Sequence, residues 1–327
     1  MRDTETVVWD IGRDAAAYAA QWASDAVDLP YLSPGWLGAL NDGMGHDIRV
    51  HAVLRDGRMT AAVALRRASR CGITVGRKPW ATAYNAWTAC GASHDSGLFA
   101  HLMRRYWSVR GVFAPCTEVR RVECGGAARK TWGTLVLDVR DVERCWLECD
   151  RHARQRVRKA RGLGVTVALT DDADAFERLY RHTYSRQDLS LPLRTGAIAQ
   201  TVGLARRGGI ELYLAATATG EPAAGLVVGW GTDRGYFMLA ASHPDLRKTD
   251  AVSLLWWTVI EEASRRVSTV DLVGAATPEI ERFKRSFSPS PVDCLEVVWE
   301  ALPLRFAKRL ARNDASGNGV KGIQRVT

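Results

Sequence analysis

The second half of the chain contains a succession of short strands, one long helix and a further strand. Three strands are predicted, at residues 211–218, 223–231 and 236–241. The turns between them contain Gly220 and Gly235 and are too short for anything but antiparallel neighbours. A long apolar helix at 251–266 then precedes a strand at 270–273. This order predicts an α/β (α+β) fold with a mixed, mostly antiparallel central sheet flanked by helices.

A lysine lies close to two phenylalanines shortly after this last strand. Pro278 begins a helical turn that contains Phe283 and Lys284, and Phe287 follows. A lysine held among aromatic side chains can act as a positioned cation for negative charge that develops during a reaction. The alternative is a surface lysine beside two core aromatic residues.

The first 141 residues are predicted to form an N-terminal domain of the same kind. Ser33 and Pro34 fit the N-cap and the first position of a helix. Two strands at 48–54 and 59–66 are predicted around a turn that contains Gly57. Further strands are predicted at 72–75, 82–84, 119–122 and 133–139, and helices at 14–25 and 96–109. The similar strand–turn–strand order in both halves suggests a structural duplication.

The C-terminal domain, residues 142–300, is predicted to begin with a basic helix. The helical pattern continues to residue 163 and carries six basic residues and no acid between Arg151 and Arg161. The apolar residues of its packed face are Ala153, Val157 and Ala160. The cations therefore project outward, where they either contact a polyanion or are merely solvated. Residues 301–327 are predicted to form a basic helix and a flexible tail.

The composition is typical of a globular protein, with 46% hydrophobic and 25% charged residues. A chain of 327 residues is long enough for two domains of ordinary size. It contains no apolar run of the ~18 residues that a membrane span needs and no signal peptide, so we expect a cytoplasmic protein without membrane insertion. The formal net charge of +9 suggests a polyanionic partner or substrate, although a lineage-wide preference for arginine would produce the same basic excess. Seven scattered cysteines predict neither a disulfide framework nor a zinc site.

Several segments resemble, in order, the Fem-type transferases and their double-GNAT relatives. They are YLSPGW (31–36), RQRVRKARGLGV (154–165), LYRHTYSR (179–186), GYFMLAAS (235–242) and DLVG…PEIERFKRSF (271–287). The resemblance covers nearly the whole chain and implies two GNAT-like domains side by side, with the acceptor in a cleft in or between them. The best-known members transfer an amino acid from aminoacyl-tRNA to an amine, often in peptidoglycan precursors or peptide-like antibiotics. Others are acyl-CoA acyltransferases.

The resemblance also implies roles for individual residues. Lys284 corresponds to a cation near the reacting carbonyl or the tRNA terminus, and Phe283 sets its surroundings. Arg186 matches an arginine that contacts an anionic acceptor, and Tyr236 matches a strand tyrosine that faces the cleft. The alternatives for these two are a surface cation and a core aromatic. The candidate contacts to the nucleic-acid backbone are Arg154, Arg158 and Lys159.

The segment before the long helix departs from the usual coenzyme A pattern of GNAT enzymes. Those enzymes bind the pyrophosphate with backbone N–H groups of a turn with the pattern Q/R-x-x-G-x-G/A. In the corresponding segment RKTDAV, Arg247 keeps the first position and remains a candidate substrate-binding residue, but Asp250 and Val252 replace the glycines. A carboxylate there is expected to repel a pyrophosphate, which favours an aminoacyl-tRNA donor over an acyl-CoA.

Other catalytic classes lack their motifs. The sequence contains no Walker A motif, no H-E-x-x-H and no G-x-S-x-G, and its seven histidines are dispersed. We therefore expect an aminoacyl-tRNA-dependent aminoacyltransferase that forms an amide on a small-molecule or peptide-like amine, without a metal or a bound cofactor. The alternatives are an N-acyltransferase that uses acetyl-CoA or another acyl-CoA, and a non-catalytic RNA-binding protein.

Overall fold

The order of strands and helices in the first half of the chain resembles the order in the second half. The computed structural model describes residues 4–25, 27–89, 96–115, 127–185, 193–274 and 277–305. The strands are β1 Thr4–Asp10, β2 Ile48–Arg55, β3 Arg58–Arg70, β4 Ile73–Arg77, β5 Ala86–Thr88, β6 Ser108–Val112, β7 Ala128–Asp138, β8 Thr166–Leu169, β9 Ile210–Ala216, β10 Pro222–Trp230, β11 Arg234–Ser242, β12 Thr269–Asp271 and β13 Ser290–Glu300. The helices are α1 Ile11–Asp25, α2 Pro34–Met44, α3 Ser96–Arg105, α4 Val142–Glu148, α5 Arg151–Gly162, α6 Ala173–Ser185, α7 Ala197–Arg206, α8 Ala251–Ala263 and α9 Pro278–Arg285.

The described strands form one continuous sheet. Their order is β1-β2-β3-β4-β6-β13-β7-β12-β11-β10-β9-β8, and β5 pairs with β3. In the first half, β1 to β4 are antiparallel and β4 then pairs in parallel with β6. In the second half, β8 to β11 are antiparallel and β11 pairs in parallel with β12. This pattern confirms the mixed, mostly antiparallel fold class, and the same order in both halves supports the suspected duplication.

The final strand of each half crosses to the other half. Strand β7 ends the first half in sequence but pairs with β12 of the second, whereas β13 ends the second half and pairs with β6 of the first. The two crossed strands also pair with each other, from Ser290↔Val136 to Val298↔Ala128. Hydrogen bonds between the crossed strands therefore join the two halves into one sheet, and a domain boundary at residue 141 stays a prediction.

The predicted long helix from 142 to 163 is in fact two helices, α4 and α5. Its interruption has a local cause, because the Asp150 side chain accepts a hydrogen bond from the backbone N–H of His152 and caps α5. The helix predicted to end at residue 109 ends at Arg105, and Val109 lies in β6, where it pairs with Gly76. Apolar residues at helical spacing concealed this short buried strand.

Two further predictions concern segments near the edges of the described residues. The strand predicted at 82–84 does not form, and β5 lies just after it. The strand predicted at 119–122 lies outside the described residues, as does most of the basic C-terminal helix, of which residues 302–305 are helical. Among the helices that the structure describes, none has the length and apolar character of a transmembrane span.

Helix α2 packs the two halves against each other. As predicted, Ser33 caps it by accepting a hydrogen bond from the backbone N–H of Trp36, and Pro34 is its first residue. Gly35 lies against Gly208, which follows α7, so closely that a Cβ on Gly35 would lie 2.5 Å from the Cα of Gly208. The halves therefore share a packed core in which two glycines allow close backbone contact.

We predict that Gly35→Ala destabilises the protein by about 1–3 kcal/mol, because the new methyl group must displace the backbone at Gly208. Gly38→Ala is the matched control, since Gly38 lies in the same helix and a methyl group added there would meet no atom within 4 Å. This change should be neutral or stabilising by up to about 1 kcal/mol. Urea unfolding of both variants provides the comparison, and equal stabilities would contradict the close contact.

Candidate functional site

Strands β11 and β12 separate after three residue pairs and leave an opening in the sheet. Their parallel pairing extends only from Arg234↔Thr269 to Tyr236↔Asp271, whereas β11 continues to Ser242. A β-bulge at Met238 adds to the local twist of β11. Openings at the carboxyl ends of parallel strands are common ligand sites in α/β proteins, so this one is the natural candidate.

Lys284 forms hydrogen bonds with the backbone of the loop that follows β12. It is the one buried residue of α9. Its Nζ donates hydrogen bonds to the carbonyl oxygens of Leu272, Val273 and Gly274, at 2.6, 3.1 and 2.8 Å. Burial lowers the pKa of Lys284 to about 8. Because an ammonium group has three N–H donors, the backbone of this loop uses all of them.

The aromatic residues near Lys284 join α9 to α8. The ring of Phe283 lies 5.1 Å from that of Trp256 in α8 and 5.4 Å from that of Phe287, measured between centres. The Nζ of Lys284 lies 5.7 Å from the centre of the Trp256 ring. The sequence predicted this lysine between two phenylalanines. In the structure its ammonium group lies over the ring of Trp256 and points towards the end of β12.

Asp271, the last residue of β12, is fully buried and connects the two halves. Its carboxylate accepts hydrogen bonds from the hydroxyl of Thr134 in β7 at 2.6 Å and from the hydroxyl of Tyr84 at 2.7 Å. The backbone N–H of Val273 donates a third, at 2.7 Å. Burial raises the pKa of the Asp271 carboxyl above its usual value. These three donors offset part of the cost of removing a carboxylate from water.

Val273 has a left-handed backbone conformation, with a φ of +59°. This region is unfavourable for a β-branched residue. Asp271 accepts a hydrogen bond from the N–H of Val273, and Lys284 donates one to its carbonyl oxygen. Strained backbone persists only where the surrounding structure holds it, and it is concentrated at functional sites. Two buried ionisable side chains thus shape the mouth of the β11–β12 opening.

An open cleft of about 1120 Å³ lies where the two halves meet. Strands β5, β7, β11 and β13 all contribute to its walls. The charged residues of its lining are Asp28, Arg129, Lys130, Asp233, Arg234 and Asp293. Charges of both signs suit a ligand that carries an amine and an anionic group.

Tyr236 lines this cleft and is at the same time a core aromatic residue, since only 3% of it is exposed. Its ring packs edge-on against the rings of Tyr31 and Tyr84, at 5.8 and 6.1 Å between centres. Beside it, Arg234 is anchored by hydrogen bonds to the Thr269 hydroxyl and the Pro115 carbonyl. Tyr236 therefore lies both in the cleft wall and in the core, and its contact with an acceptor stays a prediction.

In the segment before α8, the carboxylate that was predicted to repel a pyrophosphate is paired with a lysine. Arg247 is exposed, and Asp250 takes the left-handed conformation, with a φ of +56°, that glycine would adopt more readily. Lys159 of α5 donates hydrogen bonds to the Asp250 carboxylate at 2.8 Å and to the Lys248 carbonyl at 2.7 Å. The ion pair neutralises Asp250, so its repulsion of a pyrophosphate is weaker than the sequence predicted.

The three predicted nucleic-acid contacts on α5 have different surroundings. Lys159 is held by Asp250, and Arg154 donates to the carbonyls of Trp146 and Leu147, at 3.3 and 2.5 Å, at the end of α4. Arg158 is exposed and its guanidinium lies 5.6 Å from the centre of the Trp146 ring. Arg158 is therefore the most available of the three for a polyanion.

Arg186, the predicted contact to an anionic acceptor, lies outside the described residues. Within the described ranges, no group of three or more His, Cys, Asp or Glu side chains is arranged to hold a metal ion.

Three residues of this site were not predicted from the sequence: Asp271, Tyr84 and Thr134. A signal for Asp271 exists, because a charged residue in an apolar strand must find partners when it is buried. The sequence contains no comparable signal for Tyr84 and Thr134, whose hydroxyls donate to this carboxylate. They lie 187 and 137 residues away in sequence, and only the fold brings them to the carboxylate.

Comparisons with known proteins agree with this architecture. Residues 149–285 match the model of the acetyltransferase (GNAT) domain, a range that includes the β11–β12 opening. No curated protein matches the sequence. The structure is similar to FemX, with a TM-score of 0.61 and 13% identity over 89% of this chain and 96% of that chain.

Two other solved structures show the same likeness. One is L-PGS from Bacillus licheniformis, with a TM-score of 0.55 and 12% identity over 89% of this chain and 94% of that chain. The other is a tandem GNAT protein from the clavulanic acid biosynthesis pathway, with a TM-score of 0.51 and 16% identity over 91% of this chain and 98% of that chain. These likenesses confirm the Fem-like, double-GNAT fold that the sequence predicted.

We predict that Thr134→Val destabilises the protein by about 1–3 kcal/mol, because it removes a hydrogen bond to a buried carboxylate with little change of shape. The control is Thr131→Val, an exposed threonine of the same strand, which should change the stability by less than about 0.5 kcal/mol. Urea unfolding at neutral pH provides the measurement. Equal losses in the two variants would show that Asp271 does not depend on Thr134.

Proposed function

We propose that the protein is an aminoacyl-tRNA-dependent aminoacyltransferase that forms an amide on the amine of a small-molecule or peptide-like acceptor. The observation that carries this proposal is the position of the basic helix α5. Lys159 links α5 to the segment before α8, beside the β11–β12 opening. A polyanion that contacts the exposed cations of α5 can therefore extend its end towards the opening.

The reaction exchanges one bond to the carbonyl carbon for another. The acceptor nitrogen attacks the ester carbonyl of the aminoacyl-tRNA, a C–N bond forms, and the C–O bond to the terminal ribose breaks. The amine loses a proton and the ribose hydroxyl gains one. An activated ester requires mainly orientation of the two reactants and stabilisation of the negative charge on the carbonyl oxygen.

The cleft supplies groups for the acceptor. The carboxylates of Asp28, Asp233 and Asp293 can attract an ammonium group, while Arg129 and Lys130 can contact an anionic one. In this proposal Lys284 acts at the mouth of the opening, through its positive charge and through the three carbonyl groups that it holds. Tyr236 forms part of the wall against which the acceptor lies.

Lys284→Ala should lower turnover by ~10²–10³, because it removes the positive charge at the mouth of the opening and releases the three carbonyl groups that shape this mouth, while tRNA affinity changes only a few-fold. Lys284→Arg should restore little, since a planar guanidinium cannot replace a compact ammonium among three carbonyls. Arg282→Ala, which removes an exposed cation of the same helix, should retain normal turnover. If Lys284→Ala keeps more than about a third of wild-type turnover at saturating substrate, Lys284 has no role in transfer.

An acyl-CoA donor is the second candidate. The ion pair between Lys159 and Asp250 favours it, because it removes the charge that would have opposed a pyrophosphate at the start of α8. The GNAT-domain match over residues 149–285 also includes this helix.

The donor can be tested by supplying both candidates separately. The protein is incubated with a mixture of amines and either a tRNA pool charged with labelled amino acids or labelled acetyl-CoA, and the products are identified by mass spectrometry. We expect transfer from the tRNA pool, abolished by RNase. Transfer from acetyl-CoA alone would favour the second candidate. Salt-sensitive tRNA binding without any transfer would indicate a non-catalytic RNA-binding protein.

A further inference from the structure

A groove of about 450 Å³ lies between the end of α4 and one side of α5. It is lined by Trp146, Leu147, Arg151, Arg154, Gln155 and Arg158. The four residues from α5 recur at the spacing of a single helix face. The apolar residues of α5 pack on a different face, at Ala153, Val157 and Ala160. The groove is therefore a feature of the solvent side of α5, and its volume is within the usual range for a small-ligand site.

The groove is positively charged, and none of its lining residues is acidic. The ion pairs that α5 forms with other described segments involve Lys159 and Arg161, so Arg151 and Arg158 keep their charge for a ligand. The neighbouring Glu148 already forms an ion pair within α4. An anionic ligand would therefore meet attraction here without a competing carboxylate in the groove wall.

The α4 side of the groove is an aromatic surface that is held in place. The ring of Trp146 packs on the buried Trp257 of α8, with 4.7 Å between ring centres. The guanidinium of Arg158 lies 5.6 Å from the centre of the Trp146 ring. Arg154 donates hydrogen bonds to the carbonyls of Trp146 and Leu147, which ties the last turn of α4 to α5. The groove is thus formed before a ligand arrives.

The mixture of groups in the groove identifies the kind of ligand. Leu147 is 72% exposed beside these cations, so the wall presents apolar as well as charged surface. An unpaired nucleotide fits both, because its base stacks on aromatic rings and guanidinium planes while its phosphate contacts arginine. The amide of Gln155 can donate and accept, as the edge of a base requires. A phosphate alone would make no use of Trp146 and Leu147, and a duplex keeps its bases stacked inside.

We propose that this groove binds an unpaired nucleotide of an RNA, with the base against Trp146 and Arg158 and the phosphate at Arg151. The inference rests on the proposed use of tRNA and deepens it, since it requires a single-stranded segment where a general polyanion contact would not. Helix α5 continues from the groove to Lys159, which contacts the segment before α8. A strand held in the groove can therefore continue towards the β11–β12 opening.

The test measures binding of a short labelled RNA, single-stranded or annealed to its complement, by fluorescence anisotropy at several salt concentrations. Wild type should bind the single strand more tightly. Trp146→Leu should weaken this binding by ~5- to 100-fold through the loss of one stacked base. The slope of log affinity against log salt should stay unchanged, because no charge is removed. Trp146→Phe should keep most of the affinity, and Trp107→Leu, which removes an exposed tryptophan of the first half, should match wild type.

Two further variants separate charge from stacking and avoid the core. Arg151→Gln should reduce the salt slope for the single strand by about 0.7, the value of one phosphate contact. Leu147→Asp changes an exposed side chain and leaves the packing of Trp146 on Trp257 intact, so it should fold even if Trp146→Leu does not. It should weaken single-strand binding at least several-fold more than Leu169→Asp, which adds the same charge at an exposed leucine of β8.

Wild-type affinity in both the Trp146→Leu and the Leu147→Asp proteins would overturn the proposal, and so would an equal loss for single strand and duplex. These assays use RNA without an attached amino acid and need no acceptor, so they are separate from the transfer assay. Binding that depends on Trp146, without transfer from charged tRNA, would support the groove and overturn the proposed reaction. Transfer from charged tRNA with binding that ignores Trp146 and Leu147 would do the reverse.

Discussion

The buried carboxylate of Asp271 is the interaction on which the centre of the molecule depends. Thr134 and Tyr84 approach it from the first half, and Val273 approaches it from the loop that follows β12. A buried carboxylate is costly unless donors surround it, so these three segments are required to meet at one point. The end of β12, and with it the β11–β12 opening, is thereby tied to the first half of the chain.

The crossed strands β7 and β13 give this arrangement its rigidity. Each completes the sheet of the half to which it does not belong in sequence. Neither half could keep its complete set of hydrogen-bonded strands if the other were removed. The cleft is built from these strands and lies where the halves meet, which is a common location for ligand sites.

Ion pairs and hydrogen bonds to the backbone change what several charged residues imply about ligand binding. Asp250, taken alone, opposes a pyrophosphate, but Lys159 neutralises it and leaves the start of α8 compatible with an anion. Arg154 donates hydrogen bonds to backbone carbonyls at the end of α4 instead of pointing freely into solvent. The pairing of individual charged residues is therefore more informative about ligands than the overall excess of basic residues.

The sequence by itself determined the class of fold, because turn residues and apolar periodicity are local and specify strands and helices directly. It also predicted the cap of α2 and the resemblance to double-GNAT proteins. Only the tertiary structure decided that the two halves share one sheet, since the exchange of β7 and β13 depends on contacts between distant segments. For the same reason it alone decided the partners of Lys284, Asp271 and Asp250, because hydrogen bonds between residues far apart in sequence leave no periodic signal along the chain.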